Sequence, residues 1–295
     1  MEFRTDLALE MREQLNELPA GVSSEEEQRD GAKVTRIRVT NSQGAKAFHK
    51  PIGNYVTVEL PPFSDYVDDE NRFAPLIAEE ISAFLPTDGA VLVAGLGNEE
   101  ITPDAIGPLA AGKVLATRHL QGEFARACGL DSLRSVAAVI PGVLGQTGID
   151  AAELLKSVVK SLKPSCLIAV DAFAARSLSR LGNTVQISDA GISPGSGVEN
   201  ARPQLSEETM GIPVISVGVP TVVDGATLAA CISSEEEDEQ FEELRGMLEP
   251  RGAKMMVTPR EIDLLVQRAA KMVALAVNCA LQQSLSPEEI LMLQA

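Results

Sequence analysis

Two aspartates follow short apolar runs of the kind that form buried strands. Asp104 comes shortly after residues 91–94, and Asp171 comes directly after residues 166–170. Because the carboxyl ends of neighbouring parallel strands meet at one edge of a sheet, we predict that the two carboxyls lie together. Two carboxyls in one cleft do not ionise together easily, so one keeps a proton while the other accepts a proton from water. The pair therefore predicts general acid/base hydrolysis; the simpler alternative is that each aspartate only caps a helix or turn.

A glycine turn precedes Asp104 and offers a different chemistry. Gly95, Gly97 and Asn98 form a tight turn between the apolar run and a helix start at residues 102–104. Such a turn can hold a phosphate, which would indicate a phosphorylase-like or nucleotide-binding α/β protein. The turn lacks the third glycine of a dinucleotide-binding motif and the Lys-Ser/Thr pair of a P-loop. A phosphate site is therefore kept only as an alternative. A third interpretation is a non-catalytic interaction protein in which both aspartates are structural caps.

A second loop rich in Gly, Ser and Pro follows the apolar run at residues 184–187. It contains Asp189, Gly195, Ser196 and Gly197, and such a composition is typical of backbone that approaches a ligand closely. We therefore count these four residues as candidates for substrate binding or loop support, although a plain turn has the same composition. Ser196 lacks the spacing of a nucleophile elbow.

The alternation of apolar runs and amphipathic segments predicts one α/β domain over residues 1–295. We expect a mostly parallel sheet with helices on both faces, plus a small antiparallel β element near the N-terminus at residues 33–39 and 55–60. The other predicted strands are at 91–94, 136–140, 166–170, 184–187 and 213–217. The predicted helices are at 75–84, 106–118, 151–162 and 258–282, the last opening on a capping-box-like Thr-Pro-Arg-Glu.

Charge and composition exclude several classes of partner. The formal net charge is −17, which argues against direct binding to DNA or to an anionic membrane surface. The acidic runs at 25–27 and 235–239 read as solvated loop faces. The four cysteines are scattered, the only histidines are His49 and His119, and no stretch reaches the ~18 apolar residues of a membrane span. We therefore predict a cytoplasmic protein with no cofactor, no bound metal, no nucleic-acid partner and no membrane segment.

Ten short motifs are distributed over most of the chain. They are FRTDLALE at 3–10, GLGN at 95–98, TPDAIGP at 102–108, TRHL at 117–120, PGV at 141–143, VDA at 170–172, QISD at 186–189, PGSG at 194–197, GVPTVVD at 218–224 and MVTP at 256–259. Together they resemble the germination proteases of endospore-forming bacteria, which degrade small acid-soluble spore proteins.

The resemblance implies an atypical aspartic endopeptidase with a fold related to hydrogenase maturation proteases. The family's two aspartates match Asp104 and Asp171, and the family suggests a homotetramer in the forespore and spore core whose partners are small acid-soluble spore proteins. The hydrogenase relatives bind a metal through carboxylates and a histidine. This chain has no histidine in the matching loops, so we predict metal-independent hydrolysis. Ser193 stands where family members carry a histidine, and the segment 224–256 is shorter than in the longer relatives.

The N-terminal motif resembles the family's own cleavage site. The family's substrates are cut after the first Glu of a segment like Thr-Glu-Ile/Phe-Ala-Ser-Glu, and residues 5–10 read Thr-Asp-Leu-Ala-Leu-Glu. The resemblance therefore implies a zymogen that cuts itself between Asp6 and Leu7, with residues 1–6 as a very short propeptide. Without the resemblance, the same residues predict an ordinary amphipathic helix.

Overall fold

The structure is a computed structural model that describes residues 5–63, 72–120, 122–127, 129–194, 203–225, 227–228 and 255–294. Within these residues the strands are β1 (Val22–Arg29), β2 (Ala32–Val39), β3 (Gly53–Glu59), β4 (Val91–Gly95), β5 (Val136–Val139), β6 (Cys166–Ala175), β7 (Thr184–Ser188), β8 (Val214–Asp224) and β9 (Met256–Val257). The α-helices are α1 (Ala8–Glu13), α2 (Ser42–Phe48), α3 (Phe73–Ser82), α4 (Ile106–Ala111), α5 (Gly122–Ala127), α6 (Leu144–Thr147), α7 (Ala151–Leu162), α8 (Glu207–Met210), α9 (Ile262–Leu281) and α10 (Pro287–Gln294).

All nine strands belong to one sheet. Its order is β1-β2-β3-β7-β8-β6-β4-β5, and β9 pairs with β8. The strands β8, β6, β4 and β5 are mutually parallel, whereas β1, β2, β3 and β7 are antiparallel to their neighbours. The predicted α/β class and the antiparallel pairing of β2 with β3 are confirmed. The antiparallel element, however, is continuous with the parallel strands through β7, so the sheet is mixed.

Helices cover both faces of the parallel half, as predicted. Successive residues of β4 alternate between two apolar clusters: Val93 packs with α3, α4 and α9, and Leu92 packs with α7. This alternation follows from the two-residue period of a strand, and it explains why β4 is buried at every position. The helix α9 is long and apolar enough to cross a membrane by length and composition, but 67% of it is buried inside the protein. It packs on α3 and α4 as a core helix.

Several predicted boundaries are wrong. The strand β6 continues to Ala175, so Asp171 lies within it rather than after its end, because β8 pairs alongside up to Val223. The helix α4 ends at Ala111, seven residues before the predicted end at residue 118. No side chain caps α9, so the predicted capping box at its start does not form.

The acidic run at residues 25–27 forms part of a strand, not of a loop. It lies in β1, at the edge of the sheet, where Glu26 pairs with Lys33 and Glu27 pairs with Arg36 on the neighbouring strand. Charged side chains on both faces are compatible with an edge strand, since they discourage pairing with another molecule. The second acidic run, at 235–239, lies outside the described residues.

Candidate active site

Three acidic residues line one cavity of about 300 Å³. Asp171 reaches it from β6, Asp104 from the loop region that follows β4, and Asp6 from the N-terminal segment. The other lining residues are Ile101, Pro103, Ala172, Phe173, Ala174, Ile192, Ser193, Thr221, Val222 and Met256. The cavity therefore lies near the carboxyl ends of β4, β6 and β8, where an open α/β sheet binds its ligands.

Asp104 is held by the glycine turn that precedes it. It ends a 3₁₀ helix, Thr102–Asp104, and its Oδ2 accepts a hydrogen bond of 2.7 Å from the amide of Asn98. Gly97 has φ +110°, and a Cβ there would lie 2.1 Å from the carbonyl oxygen of Asp104. Only glycine permits that approach, so the turn and the aspartate fix each other's position.

The same contacts weaken the phosphate alternative. A Cβ on Gly95 would lie 2.2 Å from the carbonyl oxygen of Gly107 in α4, so this glycine lets the helix pack against the end of β4. The amide of Asn98, which a phosphate would need, already donates to Asp104. Close packing within the protein thus explains why both positions are glycine, and a hydrogen bond to Asp104 already occupies the amide.

Asp171 lies on β6 beside the end of β4. Val170 pairs with Gly95, so Asp171 is the next residue beyond that pair, and it is only 6% exposed. Its Oδ1 accepts a hydrogen bond of 2.9 Å from the amide of Ala172. The ring of Phe173 forms one wall of the cavity. It occupies the space that a side chain at Gly218 would need.

The N-terminal segment is bound along the last residues of β6. The amide of Asp6 donates to the carbonyl oxygen of Ala174 at 2.9 Å, and the amide of Ala174 donates back to the carboxylate of Asp6 at 2.8 Å. Four residues further on, the carboxylate of Glu10 accepts from the amides of Arg176 and Ser177 at 2.7 and 2.8 Å. Backbone amides at the end of β6 and just after it therefore bind both acidic side chains of the segment.

Two side chains bind the backbone around the Asp6–Leu7 bond. Lys50 donates through Nζ to the carbonyl oxygens of Thr5 and Asp6 at 2.9 and 3.0 Å. Gln186 donates through Nε2 to the same oxygen of Asp6 at 3.0 Å, and its Oε1 accepts from the amide of Ala8 at 2.6 Å. Desolvation lowers the pKa of Lys50, against the opposing effect of the nearby acidic side chains.

Sequence reasoning missed both of these residues. Lys50 follows a short helix with no motif around it. Gln186 does stand in QISD, one of the motifs that carry the family resemblance, and that motif was the available signal.

The remaining predicted residues divide into three groups. Ser193 lines the cavity, at the position where the family resemblance implies a histidine. Asp189 lies elsewhere, where its carboxylate accepts from the amide and the side chain of Asn54, both at 2.6 Å; it supports that part of the sheet and does not line the cavity. Gly195, Ser196 and Gly197 lie outside the described residues. Across the described ranges, no three His, Cys, Asp or Glu side chains are grouped so that they could hold a metal ion.

The family model for germination proteases matches residues 4–235 of this chain. A germination protease from Caldanaerobacter subterraneus subsp. tengcongensis is 43% identical over 315 residues, covering 98% of this chain and 97% of that protein. One from Clostridium perfringens strain SM101 is 40% identical over 318 residues, covering 97% of each. One from Bacillus velezensis strain FZB42 is 35% identical over 354 residues, covering 97% of this chain and 95% of that protein.

Among solved structures, the comparison finds the NiFe hydrogenase maturation protease HycI from Thermococcus kodakarensis KOD1. The TM-score is 0.37 at 15% sequence identity, and the alignment covers 67% of this chain and 98% of the other.

Proposed function

This chain belongs to the germination protease family, and from that premise we propose that it is the endopeptidase that begins the degradation of small acid-soluble spore proteins. Its coarser activity, that of a spore-germination peptidase, follows from the family. The finer assignment is that Asp104 and Asp171 carry out general acid/base hydrolysis of the peptide bond. The observation that supports it is the cavity in which both aspartates meet Asp6, the residue before the predicted cleavage site.

In the proposed reaction the two carboxyls act on one water molecule. The ionised carboxylate accepts a proton from water while the water oxygen bonds to the carbonyl carbon of the substrate. The protonated carboxyl donates a hydrogen bond or a proton to the reacting carbonyl group. A proton then reaches the leaving nitrogen, the C–N bond breaks, and the products are a new carboxyl terminus and a free amine. Which aspartate acts as the acid and which as the base is not assigned, so the two roles are given to the pair.

We further propose that the chain is made as a zymogen that cuts itself between Asp6 and Leu7. The bound N-terminal segment supports this, since Asp6 contacts the end of β6 beside the cavity and Glu10 contacts the two residues that follow the strand. Residues 1–6 are then the propeptide, and the rest of the chain is a single protease domain. By family resemblance, the enzyme is a homotetramer in the cytoplasm of the forespore and in the spore core.

The test is intact-mass measurement of the purified chain during mild acidification, with cleavage of a spore-protein peptide assayed in parallel. The wild-type chain is expected to lose residues 1–6 and then to cut the peptide. Asp104→Asn and Asp171→Asn are expected to do neither while melting near the wild-type temperature. Cleavage by either variant, or a collapse of its melting temperature, would support the interpretation that the aspartates are only caps.

The same assay tests metal independence. Since the described residues offer no group of three ligands, activity is expected to survive EDTA. Loss of activity in EDTA that is restored by a divalent cation would contradict this. A rise in melting temperature with nucleotide would instead favour the phosphate-binding alternative.

A further inference from the structure

We propose that Lys50 and Gln186 are the two donors that hold the carbonyl oxygen of the residue before the scissile bond, both in the N-terminal segment and in a bound substrate. The inference rests on the proposed function, because the bond concerned is the one between Asp6 and Leu7. Both side chains contact a reacting atom. Gln186 lies on β7 and Lys50 follows α2, and neither belongs to the aspartate pair.

Lys50 and Gln186 converge on one atom. The carbonyl oxygen of Asp6 accepts from Lys50 Nζ at 3.0 Å and from Gln186 Nε2 at 3.0 Å. Two fixed donors on one carbonyl oxygen are the arrangement that stabilises negative charge as water adds to the carbonyl carbon. The neighbouring carbonyl oxygens of Thr5 and Asp6 both bind Lys50, so the donors also select this stretch of backbone.

Gln186 lies in register with Asp171 across the sheet. Asp171 pairs with Gly218, and Gly218 pairs with Gln186, so the three residues form a row across β6, β8 and β7. Residues in such a row project to the same face of a sheet, and two strand spacings separate the outer residues by about 10 Å at Cα. Gly218 between them has no side chain, and the ring of Phe173 fills the space beside it. The amide of Gln186 and the carboxyl of Asp171 therefore lie on either side of this ring, on one face of the sheet.

The side-chain amide group of Gln186 is fixed in one orientation. Its side chain is 3% exposed, and its Oε1 already accepts from the amide of Ala8 at 2.6 Å. Since a buried amide must satisfy both ends, Nε2 has to face the carbonyl oxygen of Asp6. The residue thus holds the backbone on both sides of the Asp6–Leu7 bond.

The end of helix α2 positions Lys50. His49 ends α2 in the left-handed conformation, with φ 54°, and the amide of Lys50 then bonds to the carbonyl oxygen of Ala45. This cap directs the lysine side chain toward the N-terminal segment. An ammonium shielded from water acts on a carbonyl oxygen more strongly than an exposed one would. Desolvation lowers the pKa of Lys50, which is consistent with that shielding.

Under this proposal, different groups act on the carbonyl oxygen and on the leaving nitrogen. With the carbonyl oxygen held by Lys50 and Gln186, the protonated carboxyl of the aspartate pair is free to give its proton to the leaving nitrogen. After cleavage the carbonyl groups of Thr5 and Asp6 depart with the propeptide. The two donors then become available to the backbone of the next substrate.

The experiment compares Lys50→Met and Gln186→Met with the matched control Lys46→Met, a change at an exposed lysine in the last turn of α2. The rate of loss of residues 1–6 is measured by intact mass. Docking of the segment is measured separately as hydrogen-exchange protection of the amides of Ala174, Arg176 and Ser177, which bind the acidic side chains of Asp6 and Glu10. We expect each test variant to process about 100-fold more slowly, or slower still, with protection retained and the control unchanged.

Processing of both test variants at the wild-type rate overturns the inference. So does a fall in rate that only matches a loss of protection, because Lys50 and Gln186 would then merely anchor the segment. Asp104→Asn is run in parallel to separate the two proposals. If it still loses residues 1–6, the aspartate mechanism fails, whereas the two donors are judged by their own variants. A wild-type chain that is never processed refutes both.

Discussion

Replacing Glu10 by Gln tests how the N-terminal segment is recognised. The side chain is 3% exposed, and its carboxylate accepts from the amides of Arg176 and Ser177 at 2.7 and 2.8 Å. A glutamine keeps one oxygen for one amide, but its NH₂ group then faces the second amide, donor against donor. Hydrogen bonds to charged groups contribute about 1.5–3 kcal/mol each, so we expect docking of the segment to weaken by about 2–3 kcal/mol. At 1.4 kcal/mol per factor of ten, the docking equilibrium falls about 30- to 150-fold.

The assay is the time course of intact mass for the Glu10→Gln chain, with Glu13→Gln as the control. Glu13 is also in α1, but its side chain is 48% exposed and pairs with Arg180 at the surface. Such a pair contributes less than about 1 kcal/mol, so the control is expected to slow by less than about fivefold. If Glu10→Gln is processed as fast as Glu13→Gln, the bound segment does not deliver the cleavage site, and the reasoning is refuted.

Two further predictions concern the glycine turn and the thiols. Gly97→Ala places a Cβ 2.1 Å from the carbonyl oxygen of Asp104 at φ +110°, so we expect this variant to lose processing. In the control Gly145→Ala the new Cβ meets nothing within 4 Å, so the melting temperature should change little. Equal activity of the two variants would contradict this prediction. Burial raises the pKa of both Cys166 and Cys279 to about 11, so peptide mapping should show neither thiol alkylated by iodoacetamide at pH 8 in the folded protein. Because the unfolded thiols ionise near pH 9 and the folded ones near pH 11, the same burial stabilises the protein below pH 9 and loses that contribution between pH 9 and 11, which urea unfolding at several pH values would measure.

The parallel half of the fold was predictable because its strands are buried on both faces. Continuous apolar runs marked β4 and β6, and the parallel pairing of those two strands is what brings Asp104 and Asp171 to one cavity. The edge strand β1 was missed because seven of its eight residues are polar, four of them charged, and they contact solvent. In that position the pairing with β2, rather than apolar burial, decides the structure.

The contacts of the N-terminal segment could not be read from local pattern. Lys50 is 44 residues from Asp6, and Gln186 is 180 residues from it. A motif marked Gln186 as a residue of interest, but no spacing rule says which backbone atom its amide will bind. The limits of β6 were misjudged for a related reason, since its last residues pair with β8 and with the N-terminal segment, both distant in sequence.

The junction of the two halves of the sheet has a consequence for biosynthesis. The strand β7 joins β3 to β8, and the contact between Asn54 and Asp189 closes a loop of 135 residues. Pairings of such long range form late, since the entropy of closing the loop opposes them until most of the chain is present. Lys50 belongs to the half made first, and the two aspartates belong to the half made later. A ribosome-bound chain that has not reached β8 and Met256 therefore lacks part of the cavity lining, and we expect proteolytic activity only after these residues have been translated.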